Sequence, residues 1–120
     1  MAYQSFEDLE VWKRSTRLSV ELTNYLTDCS DYAFKNQVLR SAISIPSNIA
    51  EGAERQSDKE FRYFLNVAKG SAAELRTQLY IGMETKILEK ELCLRMIKEL
   101  KELSSMMQGL IKSIDKKLNT

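Results

Sequence analysis

The chain has 120 residues, 43% hydrophobic and 29% charged, with Lys+Arg 18 against Asp+Glu 17 and a net charge of +1. That is enough for one domain with a real core and too little for two. Near-neutrality means that any nucleic-acid role must rest on where charge sits rather than on its total. Histidine is absent, which removes the commonest general base and metal ligand, and Gly 4 with Pro 1 is too little for turn-rich β or α/β folds.

A few long helices are therefore predicted. The first spans about 5–28. Ser5-Phe6-Glu7-Asp8 resembles a capping box at its start. Val11, Ser15, Leu18, Leu22, Tyr25 and Cys29 then recur at alternating steps of four and three, a heptad seam widened by Leu9, Trp12, Ser19 and Leu26. Asp28-Cys29-Ser30-Asp31 is rich in turn formers and reads as a loop. The second helix is predicted over about 32–54, with Val38, Ala42, Ile45 and Ile49 as its seam and Leu39, Ile43 and Ala53 alongside. The one proline, Pro46, falls inside it. The apolar phase does not reset there, which favours a single helix kinked at Pro46 over two short helices. A proline inside a helix removes one hydrogen bond and costs about 3 kcal/mol or more. Ala42, four residues back, eases the clash of the ring, and Ser44 and Ser47 are candidates to satisfy the freed backbone group.

Ser57-Asp58-Lys59-Glu60 is a full capping box after the connection Glu54-Arg55-Gln56, and it opens a third helix over about 57–84. Its seam is Phe61, Phe64 or Leu65, Ala68, Ala72, Leu75, Leu79 and Gly82. Gly70, with Ala68, Ala72 and Ala73, is expected to form a narrow waist where another helix approaches closely. The fourth helix, about 89–118, has the cleanest repeat: Cys93, Ile97, Leu100, Ser104, Met107, Ile111, Ile114 and Leu118. Thr85 to Glu91 offers no clear cap for it. One all-α domain follows, residues 1–120, an antiparallel up-down-up-down four-helix bundle. A long coiled coil would use the same seams, but the loop signals at 28–31 and 54–57 stand against it.

The faces left outside the seams carry the functional expectations. On the second helix, Gln37, Arg40 or Ser41, Ser44, Ser47 or Asn48, Glu51 and Arg55 form a line that is small, neutral and hydrogen-bonding in its middle. Poor helix formers need a packing reason, so Ser41, Ser44, Pro46, Ser47 and Asn48 are candidates for a subunit interface. On the third helix, Lys59, Arg62, Asn66, Lys69, Ala73, Arg76 and Tyr80 hold four cations, no anion and an aromatic end. With Arg40 and Arg55 they are candidates to contact nucleic-acid phosphates, as against a solvated face paired with Glu60 or Glu74. Lys13, Arg14 and Arg17 form a smaller cluster bracketed by Glu10 and Glu21. Tyr3, Phe6, Trp12, Tyr32, Phe34 and Tyr63 are too many for one small core, which again points to an interface. Cys29 and Cys93 read as small buried residues in a reducing compartment, the polar N-terminus does not read as a signal peptide, and no apolar run reaches membrane-spanning length. A cytoplasmic, non-enzymatic protein without metal or cofactor is expected.

FEDLEVWK at 6–13, VLRSAISIPSNIAEG at 38–52 and FLNVAKGSAAEL at 64–75 resemble, in order and spacing, the four-helix-bundle family of 23S rRNA-intervening-sequence proteins. The resemblance implies a bacterial protein that assembles into a homopentameric ring, with no catalytic residues. A related group, the accessory variability determinant proteins of diversity-generating retroelements, implies RNA or DNA and a reverse transcriptase as partners. This chain departs from the family in carrying Ser41 where a basic residue is frequent and Lys69 where arginine is; lysine keeps the charge but lacks the bidentate fork.

Overall fold

Residues 5–119 are described by the computed structural model. A 3-10 turn, Phe6–Asp8, precedes four helices, α1 Glu10–Tyr25, α2 Tyr32–Glu54, α3 Asp58–Glu84 and α4 Lys90–Leu118, and no strand occurs among the described residues. Each helix packs on its neighbour in sequence and α4 closes against α1, leaving α1 and α3 on one diagonal and α2 and α4 on the other. Cross-helix pairs fix the directions. Arg62 meets Asp115 while Lys69 meets Gln108, and Arg14 meets Glu99 while Glu21 meets Arg95, so both neighbours of α4 run antiparallel to it. The result is a rod with extents of 50 × 20 × 20 Å.

The predicted seams are the core. Val11, Leu18 and Leu22 of α1, Val38, Ala42, Ile45 and Ile49 of α2, Leu65, Ala68, Ala72, Leu75 and Leu79 of α3, and Cys93, Ile97, Leu100, Met107, Ile111 and Ile114 of α4 are all buried. Ile43, half exposed between α1 and α2, and Leu118, exposed at the end of α4, are exceptions.

The first helix is shorter than its pattern. Ser5 caps only the 3-10 turn, its Oγ accepting from the Glu7 N–H at 3.1 Å, and Leu9 is extended before α1 begins at Glu10. The break lets Phe6 meet Trp12 edge-on at 5.2 Å; six residues apart in a continuous helix, the two rings would point about 120° away from each other. Tyr3 lies outside the described residues. Asp31 and Ser57 cap α2 and α3, accepting from the N–H groups of Phe34 and Glu60 at 3.1 and 3.0 Å. The cap of α4 is tertiary: the Tyr25 hydroxyl of α1 accepts from the Glu89 N–H at 2.9 Å.

α2 runs unbroken through Pro46, as one helix. The carbonyl freed by the proline is that of Ala42, four residues back. It is satisfied from α1, not by Ser44 or Ser47: the Ser19 hydroxyl donates to the Ala42 oxygen at 3.0 Å and to the Ser15 oxygen of its own helix at 3.0 Å.

The close approaches also fall elsewhere than expected. Gly70 is exposed, and a Cβ there would meet nothing within 4 Å, so it makes no waist. The narrow positions are Gly52, where a Cβ would come within 2.7 Å of the Phe64 Cβ, and Gly82, where it would meet Leu88 at 2.5 Å and the tip of Phe34 at 2.9 Å.

Candidate functional site

The SIPSNIAEG stretch is mostly consumed inside the protomer. Ser41 and Pro46 are buried. Ser44 Oγ lies 2.7 Å from Ser71 Oγ of α3, and the Asn48 amide donates to the Ser44 carbonyl and hydroxyl at 2.8 and 2.9 Å. Gly52 admits Phe64. Of the five candidate interface residues only Ser47 is exposed. Small polar residues are needed here, and they lock α2 to α3 and α1.

The α3 basic line is brought onto one face, and of its four cations only Arg62 meets an acid among the described residues, on α4. Arg62 donates to Asp115 at 2.7 Å, and Lys69 donates to the neutral Gln108. Arg55 lies over the Phe64 ring at 5.1 Å and pairs with Glu51 and Glu60 at 2.7 and 3.1 Å. Asn66 donates back to the Arg62 carbonyl. Arg76 is half-buried, with an Nε that finds no protein partner. Lys59, Arg40 and Tyr80 are exposed. For Arg62 the sequence shows no anion because its acid, Asp115, lies on α4.

Charge also closes the α1–α4 seam. Arg14 reaches Glu99 at 2.8 Å through Nε and Glu102 at 2.8 Å through Nη2, while Arg95 holds Glu21. Arg17 and Glu10 are 4.0 Å apart and both exposed. These residues line a groove of about 480 Å³. The hydrogen bond from Arg14 is the main cause that holds the Glu99 carboxyl below the ordinary carboxylate range, against an opposing effect of burial. A carboxylate depressed in the folded state stabilises it at neutral pH, and that contribution is lost as pH falls through the folded value. Arg14→Leu is therefore expected to cost roughly 1 kcal/mol at pH 7, the partial exposure of the pair keeping the figure modest. The difference from wild type should vanish in acid, once Glu99 is protonated in the folded state as well. Urea unfolding of both proteins across pH checks this; a constant difference would contradict it.

A second concavity is apolar. Thr16, Ser19, Val20, Thr23 and Asn24 of α1 and Ile43 and Pro46 of α2 line a groove of about 330 Å³ with no charged side chain. Val20 is 54% exposed and Ile43 50%, and the Thr16 hydroxyl is buried without a protein partner. Sequence pattern missed Val20, a lone valine between Ser19 and Glu21, and placed Ile43 alongside the α2 seam. Elsewhere Tyr32, Tyr63, Tyr80 and Ile81 are exposed, whereas Phe6, Trp12 and Phe34 are half-buried. Among the described residues no group of three or more Cys, Asp or Glu could hold a metal ion, and no helix is long and apolar enough to cross a membrane. Cys29 is half-buried and Cys93 buried, both as free thiols.

The 23S rRNA-intervening sequence protein family matches this chain over residues 7–109. The chain belongs to that family. A protein of unknown function from the S23 ribosomal protein family of Bacteroides thetaiotaomicron has a similar solved structure, with a TM-score of 0.80 and 25% identity, over 85% of this chain and 98% of that one. No curated protein matches. The span shared with the intervening-sequence family takes in the apolar groove, the α3 line and the Arg14 pairs. It stops at Gly109, so the last turns of α4, with Lys112, Asp115 and Lys116, lie beyond it.

Proposed function

We propose that this chain is a non-enzymatic, self-assembling bundle that closes head to tail into a ring, of five copies as the family resemblance implies, and serves as a platform for a macromolecular partner. The observation that carries the assembly is the uncharged α1–α2 groove with Val20 and Ile43 half exposed at its mouth. A second copy suits it because α3 presents a different face on the far side of the bundle. Tyr63, Asn66, Gly70, Ala73, Thr77 and Tyr80 are exposed there and uncharged, and the glycine lets a neighbour come close. Two unlike faces on one protomer make a heterologous contact, the kind that generates rings. A bend of α2 at Pro46 would set the tilt of the groove.

Light scattering on the full chain tests this. Wild type is expected near five times the 13.9 kDa protomer, and Val20→Glu with Ile43→Glu near one, with helicity unchanged because both positions are exposed. A wild-type mass of one protomer would refute the assembly.

As partner, RNA or DNA is the first expectation. The anions that neutralise Arg55 and Arg62 favour a second reading for the α3 face, contact with protein, such as a reverse transcriptase or a sister chain, without nucleic acid there. Salt-dependent binding that survives Lys59→Gln with Lys69→Gln and Arg76→Gln would support that second reading.

A further inference from the structure

We infer that the outer edge of α4 is a binding site for the phosphate backbone of nucleic acid. Lys98, Lys101, Lys112 and Lys116 are exposed along it, and none forms an ion pair among the described residues. They span about 27 Å of helix, the length of roughly eight phosphates along one strand. In the sequence these lysines look self-neutralised, because Glu99, Glu102 and Asp115 sit beside them. Arginines on the two flanking helices draw those carboxylates away. Arg14 of α1 holds Glu99 and Glu102, each at 2.8 Å, and Arg62 of α3 holds Asp115 at 2.7 Å. The same ion pairs that fasten α4 to its neighbours therefore leave its outer edge cationic, on a chain whose net charge is only +1.

The steric profile suits a phosphate backbone. Between the two lysine pairs stand Ser105 and Gly109, and Ser113 lies within the second pair, all exposed, and a Cβ on Gly109 would meet nothing within 4 Å. The fold gives no reason for a glycine there, at a cost of about 1 kcal/mol to the helix; close approach of a ligand would. Serine hydroxyls and spaced lysines are ordinary phosphate donors. A membrane surface would instead require apolar side chains to insert between the cations, and the large apolar side chains exposed on α4, Leu94 and Leu118, lie outside the stretch from Lys98 to Lys116. The site is independent of the self-assembly proposed above, since the α1–α2 groove and the outer face of α3 contribute nothing to it. Half of it lies past the span shared with the family.

The test is fluorescence anisotropy with the full chain and labelled duplexes, DNA and RNA in parallel, between ~50 and ~200 mM salt. Four neutralised phosphates per protomer predict a log–log slope of about −3 to −4 and a loss of roughly a hundredfold in affinity over that range. Replacing all four lysines by glutamine should flatten the slope and remove the binding, with the light-scattering mass unchanged, which separates this outcome from a failure of assembly. Gly109→Leu should weaken binding roughly tenfold with no change in charge. Absence of binding at ~50 mM salt, a slope that survives the quadruple substitution, or loss on substituting Lys59, Lys69 and Arg76 instead would each overturn the proposal. So would tighter binding to phosphatidylserine vesicles or to polyglutamate than to the duplexes.

Discussion

Gly52→Val is expected to destabilise the bundle by about 2–3 kcal/mol, while Gly70→Ala stabilises it by up to about 1 kcal/mol. Both glycines are helical, and neither has a positive φ. Their environments separate them. At Gly52 a Cβ would sit 2.7 Å from the Phe64 Cβ and 3.3 Å from the Phe61 carbonyl oxygen. Neither is the loose end of a side chain, so α2 and α3 would have to move apart. That movement would also disturb Arg55, which rests on the Phe64 ring and links Glu51 to Glu60 across the corner. At Gly70 the space is open, and alanine only restricts the unfolded chain and improves helix propensity. Urea unfolding measures both. The Gly70→Ala gain is best read in the Val20→Glu, Ile43→Glu background, where a contact between copies cannot cancel it. Equal and same-sign effects at the two positions would mean that the α2–α3 corner is looser than its geometry.

How far the sequence carried this architecture depended on whether the cause was local. Apolar spacing is local, so the four seams and the continuity of α2 through Pro46 could be read directly from Val38, Ala42, Ile45 and Ile49. Ser57 was legible as a helix start for the same reason, since a cap bonds a few residues ahead. The α4 cap was not, because the group that supplies it is the hydroxyl of Tyr25, on α1. Nor was the fate of the charges. Arg14 and Glu99 are 85 residues apart and Arg62 and Asp115 are 53, and a stripe with cations alone on one helix says nothing of the acids on the next. The α3 stripe thus looked freer at Arg62 than the assembled bundle makes it. Gly70 and Gly52 are a similar case: composition marks a glycine, and only the neighbouring helix decides whether its missing Cβ is used.

Ser19→Ala is expected to cost about 1–3 kcal/mol in the wild-type background and clearly less beside Pro46→Ala. In wild type the Ser19 hydroxyl is the donor to the Ala42 carbonyl, at 3.0 Å, and the site is buried. Removing it leaves an unsatisfied acceptor where water has poor access. With alanine at position 46 the helix regains its own N–H, which bonds the same carbonyl, and the serine becomes dispensable. Four proteins unfolded at one fixed protomer concentration give the coupling, expected at about 1 kcal/mol or more; strict additivity would show that the hydroxyl is not answering the proline. The cycle also bears on why the proline is present. Pro46 and Ser19 both line the apolar groove beside Val20 and Ile43, so one substitution that restores a hydrogen bond also reshapes the proposed docking surface. If Pro46→Ala holds or gains stability yet changes the mass of the assembly, the proline serves the contact between copies. If stability falls and mass is unchanged, its ring is there to fill the α1–α2 junction of the protomer itself.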